Sequence, residues 1–263
     1  MMTDKYNESC FMMHVFPGKL EDMRAYWDEA NVGRAQHVND HLKRTGIARL
    51  LAFMQGMDRG DYMLMYINSR DSLDKSLSEI TGYTEPYTLF TSAKFSEFTG
   101  FDFSKSGTAP DLEKLFDWQD SPDKMSGEDR AIQTKPSAFA IPILDGKVDD
   151  LRDYWKKSRD KMDETTNHLR DLNVKKLLAF HQKIPDGDFL VMFMESIDNP
   201  QTVMYRAATQ NTNRSRFVWE GFKNFSGLNL SDDTTKLFNL ELLFDWNENQ
   251  GIQTVETNIA YTQ

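Results

Sequence analysis

Apolar positions along this chain switch between two periods, and the switching happens twice. In the stretch after Asn239, Leu240, Leu242, Phe244 and Trp246 alternate with Glu241 and Asp245, the two-residue period of a half-buried strand. From Leu20 the period lengthens: Leu20, Met23, Tyr26, Trp27 and Ala30 recur at steps of three and four, which predicts a helix, and Val148, Leu151, Tyr154 and Trp155 do the same later. Two short apolar runs, "CFMMHVF" and "AFAIPIL", are closed by Pro17-Gly18 and Asp145-Gly146 and predict buried strands ending in turns. "IARLLAFMQ" and "DYMLMYIN" flank Arg59-Gly60, while "VKKLLAFHQ" and "DFLVMFME" flank Asp186-Gly187, so each pair predicts a hairpin. Gly46 and Asn173 suit the C-caps of the preceding helices. A less regular helical region covers about 71–98 and 199–224, and a final strand, "LEKLFDW" or "FNLELLFDW", closes each unit.

These parallels are an internal duplication. Lys19 in "KLEDMRAYW" aligns with Lys147 in "KVDDLRDYW", 128 residues on, and His41 in "HLKRTGIARLLAF" with His168 in "HLRDLNVKKLLAF", 127 on. "FSEFTGFDF" answers "FKNFSGLNL", and "LEKLFDW" answers "LELLFDW". Four ordered blocks place a first repeat at 1–128 and a second at 129–263, with a polar linker at about 119–137 and an unmatched tail at 247–263 that reads as a docking arm or a disordered end. The predicted order is β-α-β-β-α-β, the ferredoxin-like split unit, twice. One such sheet is covered by helices on one face only, so the expected class is α+β: two antiparallel sheets packed face to face as a pseudo-dimeric α+β barrel.

Composition removes several functions. Acidic residues exceed basic ones for a net charge of −10, and the two signs interleave, as in "KVDDLRDYWKKSRDK", so a nucleic-acid partner is not expected. No apolar run approaches the roughly 20 residues of a membrane span, and "MMTDKYNESC" lacks the basic and apolar regions of a secretory signal. With one cysteine, Cys10, no internal disulfide forms, and the expectation is a cytoplasmic protein, monomeric or homodimeric.

Element order, repeat length and the Gly-Asp-aromatic hairpins, "GDYMLMYIN" and "GDFLVMFME", resemble the dimeric α+β barrel superfamily in tandem single-chain form. The resemblance covers about 10–246 and matches no specific enzyme family within a superfamily that includes stress-responsive barrel proteins, cofactor-free monooxygenases and the haem-binding chlorite dismutase group. It implies fold rather than activity. For haem, it implies a distal Arg facing the iron and a proximal His upstream of it. The matching residues are Lys176 and Asp163 in the second repeat and Arg49 and His37 in the first, so haem stands as an alternative and no cofactor is predicted.

The residues offer no Gly-rich phosphate loop, His-Glu-x-x-His or paired-Cys motif, and no metal site is predicted. His37 and His41, four apart on a helix, could share a metal but have no Glu or Cys spaced to join them. His14 and His181 lie in apolar strands and are the candidate proton shuttles. Arg49, Phe53 and Gln55 share one strand face, and Lys176, Phe180 and Gln182 the equivalent one. If those faces look into a cavity they suit a small anionic or aromatic ligand, bound with or without cofactor-free catalysis. The competing reading is a filled interior and a non-catalytic scaffold or interaction module. Whether the protein is an enzyme stays open at this point.

Overall fold

The structure is a computed structural model and describes residues 6–82, 86–102, 109–120, 134–230 and 239–253. The first repeat supplies β1 (Asn7–His14), α1 (Leu20–Asp28), a π-helical turn (Glu29–Gly33), α2 (Ala35–Leu42), β2 (Ile47–Met57), β3 (Gly60–Ser69), α3 (Leu73–Gly82), α4 (Pro86–Thr99) and β4 (Leu112–Gln119). The second supplies β5 (Lys135–Pro142), α5 (Val148–Asp160), α6 (Met162–Asp171), β6 (Val174–Ile184), β7 (Gly187–Ser196), α7 (Pro200–Thr209), α8 (Asn213–Ser226), β8 (Leu240–Asn247) and β9 (Gly251–Ile252). The α+β class and both hairpins are as the pattern predicts. Gly46 (φ 68°) and Asn173 (φ 60°) take the left-handed backbone that ends a helix, the one without a Cβ and the other with a side chain that tolerates this region.

The stretch from Lys19 to His41 is one residue longer than its counterpart, Lys147 to His168. The π-helical turn takes up that residue, since wider winding accommodates one insertion without rotating the flanking apolar faces. In the second repeat α5 runs without a π turn to Asp160.

All strand pairs are antiparallel, in two sheets of order β1-β3-β2-β8-β9 and β4-β6-β7-β5. Here the expectation that the final strand closes its own repeat is corrected. β4, from the first repeat, pairs with β6 of the second, and β8, from the second, pairs with β2 of the first. The compact units accordingly gather the described residues of Met1–Pro110 with Leu240–Ala260, and those of Asp111–Asn239. An alternating pattern specifies a strand and its buried face but not which of two near-identical sheet edges it joins. Most of the linker (121–133) and the end of the tail (254–263) lie outside the described residues; the start of the tail forms β9, paired with β8.

The exchanged strands dock in the same way in both units. Phe244 packs against Trp27 in a tilted arrangement with ring centroids 4.9 Å apart, and Phe116 against Trp155 in the same way at 5.0 Å. The Trp246 indole donates to Asn39 Oδ1 (2.8 Å) and that of Trp118 to Thr166 Oγ1 (3.0 Å). Each strand also carries a bulge, where Leu243 and Leu115 stand out of register. The carbonyl freed there accepts from Asn31 Nδ2 at 2.8 Å in one unit and from Arg159 Nη1 in the other. Arg24 clasps Glu241, and Arg152 clasps Glu113.

Candidate binding site

In each unit one sheet face meets the helices. Leu50 and Met65 lie against α1 to α4, and Leu177, Met192 and Met194 against α5 to α8. By strand alternation Arg49, Phe53 and Gln55 lie on the opposite face of β2, and Lys176, Phe180 and Gln182 on the opposite face of β6. Phe53, Gln55, Lys176, Phe180 and Gln182 are buried. Arg49 faces Asp245 of β8 at 3.6 Å, so its charge has a partner within its own sheet. The two trios belong to different units.

The candidate shuttles are not equivalent either. His14 lies on the face of β1 away from the helices, its ring 5.1 Å from Tyr62. His181 sits on the helix-side face of β6, with Nε2 2.8 Å from Asp188 Oδ1 and Nδ1 3.4 Å from Glu113 Oε2. Glu113 in turn holds Arg152, whose guanidinium keeps the Glu113 carboxyl below the usual carboxylate range. His181 therefore ties the exchanged β4 to β7 through two carboxylates.

The residues matching a haem site do not fit one. Asp163 is exposed in the first turn of α6, a carboxylate where an imidazole is needed, while His37 is exposed on α2 and Arg49 engages Asp245. His41, one turn from His37, is buried, so that pair does not present a shared ligand face. Among the described residues no group of three or more His, Cys, Asp or Glu is placed to hold a metal ion, and none of the helices is long and apolar enough to cross a membrane. Cys10 is fully buried, and burial raises its thiol pKa well above the ordinary value, which suits packing rather than nucleophilic chemistry.

Open space lies between helices and sheet, at equivalent places in both units. In the first, a cavity of about 40 Å³ is lined by Tyr26, Trp27, Val38, His41, Thr91, Phe95, Phe244 and neighbouring aliphatic side chains. In the second, a cavity of about 50 Å³ is lined by Tyr154, Trp155, Thr165, His168, Arg214, Val218, Phe222 and their neighbours. Amphipathic periodicity explains the walls: the buried faces of α1 and α5 present the Tyr-Trp pair, and those of α2 and α6 present a histidine in the last turn.

The indoles separate into two groups. Trp118, Trp219 and Trp246 donate to Thr166, Asn229 and Asn39 at 2.8–3.0 Å. Trp27 and Trp155, both buried and both lining the cavities, have an Nε1 with no acceptor. A buried indole N–H left without a partner costs free energy on the order of 1–3 kcal/mol.

The second cavity adds charge. Arg214 donates from Nη2 to Ser158 Oγ (3.0 Å), lies 4.6 Å over the Phe217 ring, makes no ion pair among the described residues and leaves Nε buried without an acceptor. Beside it His168 is 7% exposed with Nε2 unpartnered. Burial, followed by the charge of Arg214, pulls its pKa down to about 4, so the ring is neutral near pH 7. Burial lowers the pKa of Arg214 as well, and pushes that of the Tyr154 phenol up to about 12. Sequence periodicity puts Tyr154 and Trp155 on the apolar face of a helix and aligns His168 with His41, but marks neither His168 nor Arg214 as a site residue. A signal was present: Arg214, Val218 and Phe222 recur at steps of four, which puts a cation on the apolar face of α8, where the first repeat has Tyr87.

No family model matches the sequence, and no curated protein matches it. Some solved structures are similar to it at a low level. One is a candidate monooxygenase from Fusobacterium nucleatum subsp. nucleatum, 10% identical, covering 94% of this chain and 95% of its own, with a TM-score of 0.48. An anthrone oxidase-like protein is 13% identical over 85% of this chain and 87% of its own, with a TM-score of 0.43. A candidate monooxygenase from Lactobacillus acidophilus is 7% identical over 93% and 98%, also with a TM-score of 0.43. Likenesses this distant carry no chemistry to this chain.

Proposed function

We propose that this protein binds a small organic molecule in the cavities between helices and sheet, one in each unit. The observation that carries the reading is the pair of unpartnered indole donors, Trp27 Nε1 and Trp155 Nε1, at equivalent positions on two cavity walls, while the other three indoles are satisfied by protein acceptors. Buried polar groups in folded proteins are satisfied by protein, water or ligand, and duplicated donors beside duplicated space favour an acceptor that enters from outside. Size bounds the ligand. Cavities of about 40 and 50 Å³ hold roughly three or four waters at ~10–15 Å³ each, well short of the ~150 Å³ that accommodates benzene. The occupant thus has only a few heavy atoms, an apolar end for the aromatic walls and an acceptor for the indole.

The test uses the intact ¹⁵N-labelled chain. The indole N–H signals are assigned with Trp27→Phe and Trp155→Phe, and acetamide, acetone and acetate are added in turn. Saturable shifts of the Trp27 or Trp155 signal, with those of Trp118, Trp219 and Trp246 unmoved, are expected. If all three compounds leave both signals in place at tens of millimolar, the reading is wrong.

A further inference from the structure

The two cavities share an origin but not a charge. In the first, the titratable walls are Tyr26 and His41, and no Lys, Arg, Asp or Glu lines the space. In the second, Arg214 is the one formally charged lining residue. Arg214 is half-buried with its Nε closed off from water, a position in which a guanidinium is commonly paired with a carboxylate. Arg214 has a serine hydroxyl and an aromatic face instead. The carboxylates acting on this corner, Glu164 on Arg214 and Asp171 on His168, do so only through space, and both are exposed.

Three polar atoms on this wall lack a partner: Arg214 Nε, Trp155 Nε1 and His168 Nε2. The arginine and indole nitrogens can only donate; the neutral imidazole donates or accepts according to its tautomer. Most of the remaining lining is apolar, including Val203, Met204 and Ala207 of α7 and Leu177 and Met192 of the sheet. An occupant that satisfies all of this carries one negative charge and two acceptor oxygens at one end and a short hydrocarbon group at the other.

We propose that the cavity of the second unit is a selective site for a small carboxylate: Arg214 supplies the charge, Trp155 an additional donor, and His168 a ring nitrogen without a protein partner. The proposal rests on the reading of the cavities as ligand sites and adds to it an anion preference confined to one of the two. The charge-assisted contact is the stronger kind of hydrogen bond and discriminates most sharply against a neutral isostere. The first cavity has no such discrimination to offer.

Acetate and acetamide have the same shape and differ in charge, so they make the measurement. Each is titrated at pH 7 into the wild-type chain and into Arg214→Met and Arg214→Gln, following the Trp27 and Trp155 indole signals, with sodium chloride at matched ionic strength as the control anion. The expected result is a Trp155 response at least tenfold tighter for acetate than for acetamide, reduced to parity in both variants, with the Trp27 signal showing no acetate preference. Two variants are used so that loss of folding in one, seen as collapse of the Trp118 and Trp246 signals, does not decide the matter. Equal affinities of acetate and acetamide at Trp155 in the wild type overturn the anion preference while leaving the cavity a ligand site. So does an equal response to chloride, which would make it an adventitious ion only, or an acetate preference that survives removal of the guanidinium. Silence of both indoles toward both compounds overturns the underlying reading as well.

Discussion

The two units repeat one order of elements and differ most where their helices cover the sheet. In the first, an extra residue is absorbed by a π turn and no Lys, Arg, Asp or Glu lines the cavity; in the second, α5 runs through without a π turn and an arginine enters the apolar face of α8. The hairpins, the docking of the exchanged strands and the Tyr-Trp pairs recur with matching contacts in both units. Scaffold interactions have therefore been kept in duplicate, whereas the cavity walls have diverged. That is the expected behaviour when packing tolerates little change in volume but a wall facing open space tolerates a change in chemistry.

Breaking the shared part should produce the largest effect. Phe244 and Phe116 anchor the exchanged strands and are 0% and 1% exposed. Replacing either with Ala should cost about 3–5 kcal/mol, and in denaturant each change should move the unfolding of the unit whose sheet that strand completes, reported by Trp27 or Trp155 fluorescence. Shifts below about 1 kcal/mol would mean the strands are peripheral additions.

The divergent part should show in acid. The fold opposes protonation of His168, whose ordinary value is 6.5 and whose pKa in the folded chain is about 4. Its contribution is complete above pH 6.5 and is lost as the pH falls toward 4, by about 3 kcal/mol at the lower end at ~1.4 kcal/mol per unit. His168→Gln should remove that slope from the difference between denaturation midpoints at pH 7 and pH 4.5; a variant as acid-sensitive as the wild type would show that another group is responsible.

A smaller effect separates the units sterically. Gly221 packs so closely on Tyr154 that a Cβ would lie 2.3 Å from the ring, and Tyr154 is too deeply buried to withdraw. Gly221→Ala should destabilise by on the order of 1–2 kcal/mol, overpacking outweighing a gain in helix propensity of about 1 kcal/mol. Lys94, its counterpart in the first repeat, should accept Ala within about 0.5 kcal/mol. The least effect is expected at the clasps: Arg24→Met and Arg152→Met should each cost less than about 1 kcal/mol and less still in high salt, because both pairs are open to solvent. Thermal melts at two salt concentrations would expose an asymmetry if one clasp were a structural lock.

How much of this was legible before folding follows from the range of each interaction. Period-two and period-3.6 patterns, the turn glycines and the doubled blocks arise from contacts between near neighbours, so the sequence by itself determined the strands, the helices, the two hairpins and the duplication. Even the one-residue mismatch between Lys19 and His41 was visible there, although only the structure showed it as a π turn. The partnership of β4 with β6 and of β8 with β2 was not, because two equivalent sheet edges present the same hydrogen-bonding register to the same alternating strand. Nor was the cavity. Trp155, His168 and Arg214 come from three helices, and the lack of a partner for an indole, an imidazole and a guanidinium is a property of every neighbour at once, which only tertiary packing decides.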